Sequence, residues 1–347
     1  MTGSDSIVLL AKRSGLTSFS SLRNVKKALN TTKVGHTGTL DSFAEGLLVV
    51  CSGHYTKLCG QITAFDKTYE AVIHFGSETD TCEYTGKIIR TSELPTEEGL
   101  RKAVEKWTGN IMQKPPLFSA IHVDGKRASD LVRDGKNFEI PARPVTVFSS
   151  EIRELKFSED GKYVEFARIE FSVSKGTYIR SLARDIAESS GSSAYLTGLF
   201  RKKVGNFRIE DAAGFSVLED FNIRNAYKKE EEYKEFSENS PGVAKEGESQ
   251  RKGPSEEDLL VQKEILEKLQ DVTPELAGLC GFHNVSLTSS QCAEQFRNGK
   301  PLKSAMFTES LWSFPPDCQI AVFFEGHFTG LINKNAAGKV SYGFVIN

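Results

Sequence analysis

The chain has 347 residues, of which 39% are hydrophobic and 26% charged, with a formal charge of −2. That length exceeds the size at which one hydrophobic core stops growing, and the composition excludes a disordered or collagen-like chain. Charge is unevenly placed: residues 219–271 hold 15 acidic against 9 basic side chains, leaving a mild excess of +4 elsewhere, a weak preference for polyanions.

Taken in chain order, I-V-L-L-A at 7–11 reads as a buried strand. It is too short for a membrane span or a secretory core, so a cytoplasmic protein with no membrane association is expected. Leu22, Val25 and Leu29 mark one face of a helix opened by Thr17 or Ser18. The stretch K-V-G-H-T-G-T-L-D at 33–41 suits neither helix nor strand and reads as a tight glycine loop. An apolar run at Leu47–Cys51 is a further strand, and Tyr69, Ala71, Ile73 and Phe75 alternate as a half-buried strand does. Ala167, Ile169, Phe171 and Val173 repeat that pattern. Two helices are predicted, one from Leu100, Ala103, Val104 and Trp107, the other from Ile179, Leu182, Ala183 and Ile186 ending at Gly191. Strands and helices do not alternate strictly, which favours α+β over a wound parallel sheet.

Residues 225–254 mix charge with Ser, Pro and Gly and read as a linker or solvated insertion. Ser255 then caps a helix carrying Leu259, Ile265, Leu266 and Leu269. A short helix stopped at Asn298-Gly299 precedes three apolar runs, Ile320–Phe324, Phe328–Ile332 and Val340–Ile346, so the end of the chain reads as a small β-rich domain. The expected division is 1–218, a linker region 219–271 with a short helix, and 272–347.

Familiar catalytic signatures are absent: the chain has no G-x-x-x-x-G-K-[ST], H-E-x-x-H or G-x-S-x-G. Six cysteines without a C-x-x-C pair spell neither a zinc site nor a disulfide framework. What remains is the glycine loop with His36, Thr37, Thr39 and Asp41 after Lys33. A carboxylate on a tight loop can be aimed at a substrate for nucleophilic or base catalysis, or can cap its own turn. Asp41 with Glu45 could also form the carboxylate pair of a glycoside hydrolase.

V-G-H-T-G-T-L-D-S-F-A-E-G-L-L at 34–48 closely resembles the signature loop of the TruB family of tRNA pseudouridine synthases. K-R-S-G-L-T-S at 12–18, D-K-T-Y-E-A at 66–71, P-P-L-F-S-A-I-H-V-D-G-K-R-A at 115–128 and S-K-G-T-Y-I-R-S-L-A-R-D at 174–185 resemble further motifs of that family, in the same order. The resemblance implies a mixed, largely antiparallel central sheet flanked by helices and loops, followed by a PUA-like RNA-binding module. It implies an isomerase acting on uridine 55 in the T-loop of tRNA, with the T-arm as partner and a monomer as the working unit. Neither metal nor cofactor is implied, because the reaction moves no electrons and adds no group. Asp41 matches the catalytic aspartate, Tyr69 the tyrosine beside the uracil, and Arg180 the arginine paired with the aspartate. His36 matches the histidine that packs into the RNA loop, Lys12, Lys33, Lys57, Arg201, Lys202 and Lys203 would meet phosphates, and Tyr178 stands next to Arg180. Ser42 departs from the proline, and Phe118 from the tyrosine, common in the family. The alternative from another class is an RNA-binding protein without catalysis.

Overall fold

The computed structural model describes residues 5–119, 122–123, 126–127, 131, 138–239 and 254–346. Its strands include β1 (Ile7–Lys12), β2 (Val34–Thr37), β3 (Glu45–Ser52), β4 (Lys67–Phe75), β5 (Gly109–Gln113), β6 (Arg143–Phe157), β7 (Val164–Val173) and β8 (Ala194–Val204). These belong to one sheet, of nine strands among the described residues, ordered β1-β3-β8-β4-β7-β6-β5 with β2 beside β3. Neighbours run antiparallel except β3 and β8, which pair in parallel at Glu45–Phe200 and Gly46–Arg201. The architecture is therefore α+β with a mixed, largely antiparallel sheet, as the sequence led us to expect.

The α-helices include α1 (Ser18–Ala28), α2 (Cys59–Thr63), α3 (Glu97–Lys106), α4 (Ile179–Ser189), α5 (Ile223–Asn239), α6 (Glu256–Glu267), α7 (Pro274–Leu279) and α8 (Ser290–Arg297). One sheet face carries Tyr69, Ala71, Ile73, Ala167, Ile169 and Phe171 under α3 and α4, which supply Leu100, Val104, Leu182 and Ile186. The opposite face carries Val72 and Phe166 under Ile223 and Ala226 of α5. β4 is thus covered on both sides rather than half-exposed: its period-two alternation separates two packed faces.

Helix α5 corrects the linker reading of residues 225–239. Little in its sequence marks a buried face, because the face is anchored by a carboxylate. Glu230 is fully buried and accepts from Tyr195 Oη (2.6 Å), Thr197 Oγ1 (2.8 Å) and Lys234 Nζ (2.6 Å). Burial pushes the Glu230 carboxyl up, but bonds from His74, Lys234 and Tyr195 outweigh it and hold it down at about 2. Residues 240–253, the remainder of that expected linker, lie outside the described residues.

α6 is capped by Ser255 through a capping box with Asp258, as the sequence suggested, but its inward residues are Val261 and Ile265, whereas Leu259 and Leu266 are exposed. Val261 and Ile265 pack with Val8, Leu10, Leu22, Val25, Leu48 and Val50 of the first strands and α1. The acidic first turn has an amide and two arginines as partners: Asp258 accepts from Asn24 Nδ2 (2.9 Å) and Arg23 Nη2 (3.2 Å), and Glu257 pairs with Arg13 Nη1 (2.5 Å). Burial pushes the Asp258 carboxyl up, yet bonds from Asn24 and the Ser255 amide, with Arg23 and Arg13, leave it below its usual 3.8. Asp258→Ala is expected to remove about 2 kcal/mol of stability at pH 7. Because the folded carboxyl is depressed, that contribution is present above the unfolded value and vanishes as pH falls through the folded one. Urea melts of both proteins should therefore differ at pH 7 and converge in acid.

The C-terminal sheet comprises β9 (His283–Ser286), β10 (Cys318–Phe324), β11 (His327–Lys334) and β12 (Val340–Val345). Its inner residues Ala321, Phe323, Phe328, Leu331 and Phe344 share a core with Ile7, Leu9, Leu47 and Val49 of the first sheet and with Tyr55 in the turn after β3. Paired backbone bonds between Ile7 and Gln270 (2.9 Å each) complete the seam.

Candidate active site

Asp41 lies on the loop joining β2 to β3. The first half of the motif is strand after all, since Val34, Gly35, His36 and Thr37 pair with Ser52, Cys51, Val50 and Val49. Of the motif's two glycines only Gly38 uses the left-handed region, at φ +76°, turning the chain out of β2. The loop that follows is held by bonds from the preceding segment. Ser18 Oγ donates to Leu40 O (3.0 Å) and accepts from Leu40 N (2.9 Å). Ser14 Oγ donates to Phe43 O and Gly15 N to Ser42 O, both at 2.8 Å. Ser42, standing where a proline is common, is thus fixed through its carbonyl instead of a ring.

Two cations assigned to phosphate from sequence serve this loop instead. Lys12 is 1% exposed, and its Nζ donates to Arg13 O (3.2 Å), Ser42 O (3.2 Å) and Ala44 O (2.5 Å). Burial pulls Lys12 down to about 7 against the charges of Asp41 and Glu45, yet three carbonyls match the three protons of an ammonium, so the charged form fits the geometry. Arg201 is equally buried, donating from Nε to Leu47 O (2.8 Å) and from Nη2 to Gly38 O (3.0 Å). Gly46 is required beside it, because a Cβ there would stand 2.5 Å from Arg201 O.

Arg180, in the first turn of α4, reaches Asp41 from the other side. Its Nη2 donates to Asp41 Oδ1 (3.1 Å), and its Nε lies 2.9 Å from Oδ2, off the line of a hydrogen bond. The remaining donors meet Thr81 O (2.9 Å) and Phe118 O (3.0 Å). The guanidinium is 6% exposed and the Asp41 side chain 36%, so a buried cation orients a carboxylate whose free edge faces solvent. Burial alone would lower the Arg180 pKa, but Asp41 and Glu83 more than offset it and the value is raised.

Asp41, Tyr69, Tyr178 and Arg180 line one cleft of about 470 Å³, with Lys67 and Phe118, within the range of small-ligand pockets. Tyr69 is 9% exposed, fixed on β4 between Phe171 and Arg201. His36, Lys33 and Lys57 are not among its lining residues. His36 is half-buried and its Nδ1 has no partner among the described residues; burial and Arg201 both lower its pKa. Lys33 is exposed, and Lys57 stands 4.9 Å over the Phe344 ring at the C-terminal seam. Burial raises the Tyr178 phenol. Residues 120–121, 124–125 and 128 of the 115–128 motif lie outside the described residues. Glu45 is 5% exposed and paired with Lys229 Nζ (3.0 Å to each oxygen), so it does not face Asp41 across the cleft as a glycoside hydrolase would need.

Sequence reasoning missed one ionisable neighbour. Glu83 Oε2 lies 4.0 Å from Arg180 Nε, and its Oε1 accepts from Thr85 Oγ1 (2.8 Å). Burial and then the Asp41 charge push its carboxyl up to about 7, against Arg180. Nothing in T-D-T-C-E-Y-T-G marks this glutamate locally; Leu196 brings it in through backbone bonds with Cys82 and Tyr84 (3.0 Å each). A raised folded pKa means that the fold binds more protons than the unfolded chain between about 4.5 and 7, so Glu83 lowers stability as pH rises through that window. Glu83→Gln should flatten the fall in melting temperature between pH 5 and 8.

The structure aligns over 100% of this chain and 84% of the matched chain in a crystal structure of a Cbf5-Nop10-Gar1 complex, with a TM-score of 0.58 at 20% identity. The two chains share one fold. Residues 26–179 match the family described as TruB family pseudouridylate synthase (N terminal domain). A Treponema pallidum protein named tRNA pseudouridine synthase B is 36% identical over 356 aligned positions, 96% of this chain and 95% of that one. A Treponema denticola protein of the same name is 46% identical over 228 residues, spanning 62% of this chain and 64% of its own length. The chain belongs to the TruB family.

Proposed function

We propose that this chain converts uridine 55 in the T-loop of tRNA to pseudouridine, with Asp41 as the catalytic carboxylate. The observation that carries the reading is the Asp41–Arg180 pair at 2.9–3.1 Å, exposed on its carboxylate side to a cleft walled by Tyr69. The reaction breaks the C1′–N1 bond, turns the uracil, joins C5 to C1′ and releases the C5 hydrogen as a proton, while N1, freed from the sugar, takes up a proton. Whether Asp41 attacks carbon or removes a ribose proton, it acts as a carboxylate, and the buried guanidinium orients it. The flat Tyr69 ring would hold the extruded base, as enzymes acting on a flipped base require.

His36, on β2 ahead of the loop, would pack into the opened RNA loop as a neutral ring. Lys33 and Lys57, exposed, would meet phosphates, a salt-sensitive contribution blind to sequence. Residues 272–347 would act as a PUA-like RNA-binding module extending the contact along the T-arm, in a cytoplasmic protein working as a monomer. No helix among the described residues is long and apolar enough to cross a membrane. The scheme calls for no cofactor.

The test is tritium release from tRNA transcribed with [5-³H]uridine. Wild-type protein should release tritium, and a transcript with cytidine at position 55 should release none. Absence of release from the first transcript, or equal release from both, would overturn the proposal.

A further inference from the structure

We infer that Gln113 is a positioning residue for this reaction, acting through the main chain of Tyr178; this rests on the reading of the Asp41 cleft given above. Gln113 ends β5 and is 1% exposed. Its Oε1 accepts from Tyr178 N (2.8 Å) and its Nε2 donates to Tyr178 O (3.1 Å). The side-chain amide thus mimics a strand, pairing with both polar groups of one residue. Only one orientation of the amide satisfies both bonds.

Tyr178 is where this matters. It is the N-cap residue of α4 and has no side-chain cap; its carbonyl also accepts the first helical bond, from Leu182 N (3.0 Å). Arg180 follows two residues later, and Tyr178 itself lines the cleft. The neighbouring Lys114 carbonyl accepts from Ser181 Oγ (2.9 Å) and Arg184 Nη2 (3.1 Å), so the end of β5 is joined to the first turns of α4. Ser181 and Arg184 tie the body of the helix to Lys114 O, whereas Gln113 fixes the peptide from which it starts. A fork that must meet Asp41, Thr81 O and Phe118 O together tolerates little displacement of that start, and misplacement by about 1 Å can cost on the order of a hundredfold in rate.

The chemistry of the two bonds supplies a test that separates positioning from bulk. Gln113→Glu keeps the shape. When ionised it cannot donate to Tyr178 O and sets a negative oxygen against it; when protonated it donates as the amide does. Single-turnover pseudouridine formation by Gln113→Glu should fall roughly a hundredfold at pH 8 and recover at least about tenfold, relative to wild type, at pH 6. The KM for tRNA should stay within about twofold, because the RNA surface is untouched. Gln113→Leu should lose rate at both pH values. In parallel, hydrogen exchange should show the Tyr178 amide of Gln113→Leu exchanging at least about tenfold faster than that of wild type.

A Gln113→Glu pH profile parallel to wild type, or an unchanged Tyr178 exchange rate, would overturn the inference. If wild-type protein forms no pseudouridine, the proposed function fails, while the exchange measurement still decides whether Gln113 holds Tyr178. Gln113→Glu at pH 6 keeps the test independent of whether the leucine variant folds.

Discussion

Asp41→Asn is expected to lower the single-turnover rate of pseudouridine formation by at least about 10⁴-fold, with tRNA affinity unchanged within about threefold. The substitution removes charge and little else. Asn cannot act as an anionic nucleophile or base, and its amide nitrogen would face a guanidinium that only donates. The loop should keep its course, because the bonds that hold Leu40, Ser42, Phe43 and Ala44 come from Ser18, Gly15, Ser14 and Lys12 and from the main chain, not from the Asp41 side chain. Arg180 keeps its carbonyl partners at Thr81 and Phe118 and its neighbour Glu83, so the variant should fold. Filter binding and rapid-quench kinetics on the same preparation separate the two quantities. A rate within tenfold of wild type would remove Asp41 from the chemistry.

Arg180→Lys should be nearly as damaging, for a different reason. Lysine preserves the charge but carries its three donors on a single nitrogen, which cannot occupy the separate positions from which Arg180 Nη1 and Nη2 meet two carbonyls and a carboxylate at once. At least one of those acceptors would be left buried and unmet, and Asp41 would lose its two-point alignment. We expect a rate loss on the order of 10²–10³-fold and a stability loss of roughly 3 kcal/mol. The pairing of the two effects distinguishes this variant from Asp41→Asn, whose loss should be catalytic with little change in melting. Near-normal activity in Arg180→Lys would mean that charge alone suffices and that the fork geometry is incidental.

The legibility of this molecule divides along the range of its interactions. Elements set by local pattern were readable: Thr17 capping α1 with Leu22 and Val25 inward, Ser255 capping α6, and Asn298 ending α8. Asp41, Tyr69 and Arg180 were named on motif resemblance, and the fold brings all three to one cleft although they lie up to 139 positions apart. What escaped depends on partners distant in sequence. Lys12 and Arg201 looked like phosphate ligands because a buried lysine whose acceptors are loop carbonyls 30 and 32 residues away carries no local mark. Helix α5 looked like linker because its anchoring residue is Glu230, whose partners Tyr195 and Thr197 lie 35 and 33 residues away on β8. Glu83 escaped for the same reason, and so did the strand character of Gly35 and His36, which the ladder with Cys51 and Val50 imposes.

Site-resolved mapping tests the central claim most directly. Unmodified tRNA is incubated with purified wild-type protein or Asp41→Asn, and pseudouridine is located at nucleotide resolution by chemical derivatisation. The account predicts modification at uridine 55 by the wild type and none by the variant. Modification at 55 by both proteins, or wild-type modification only at other uridines, would contradict it.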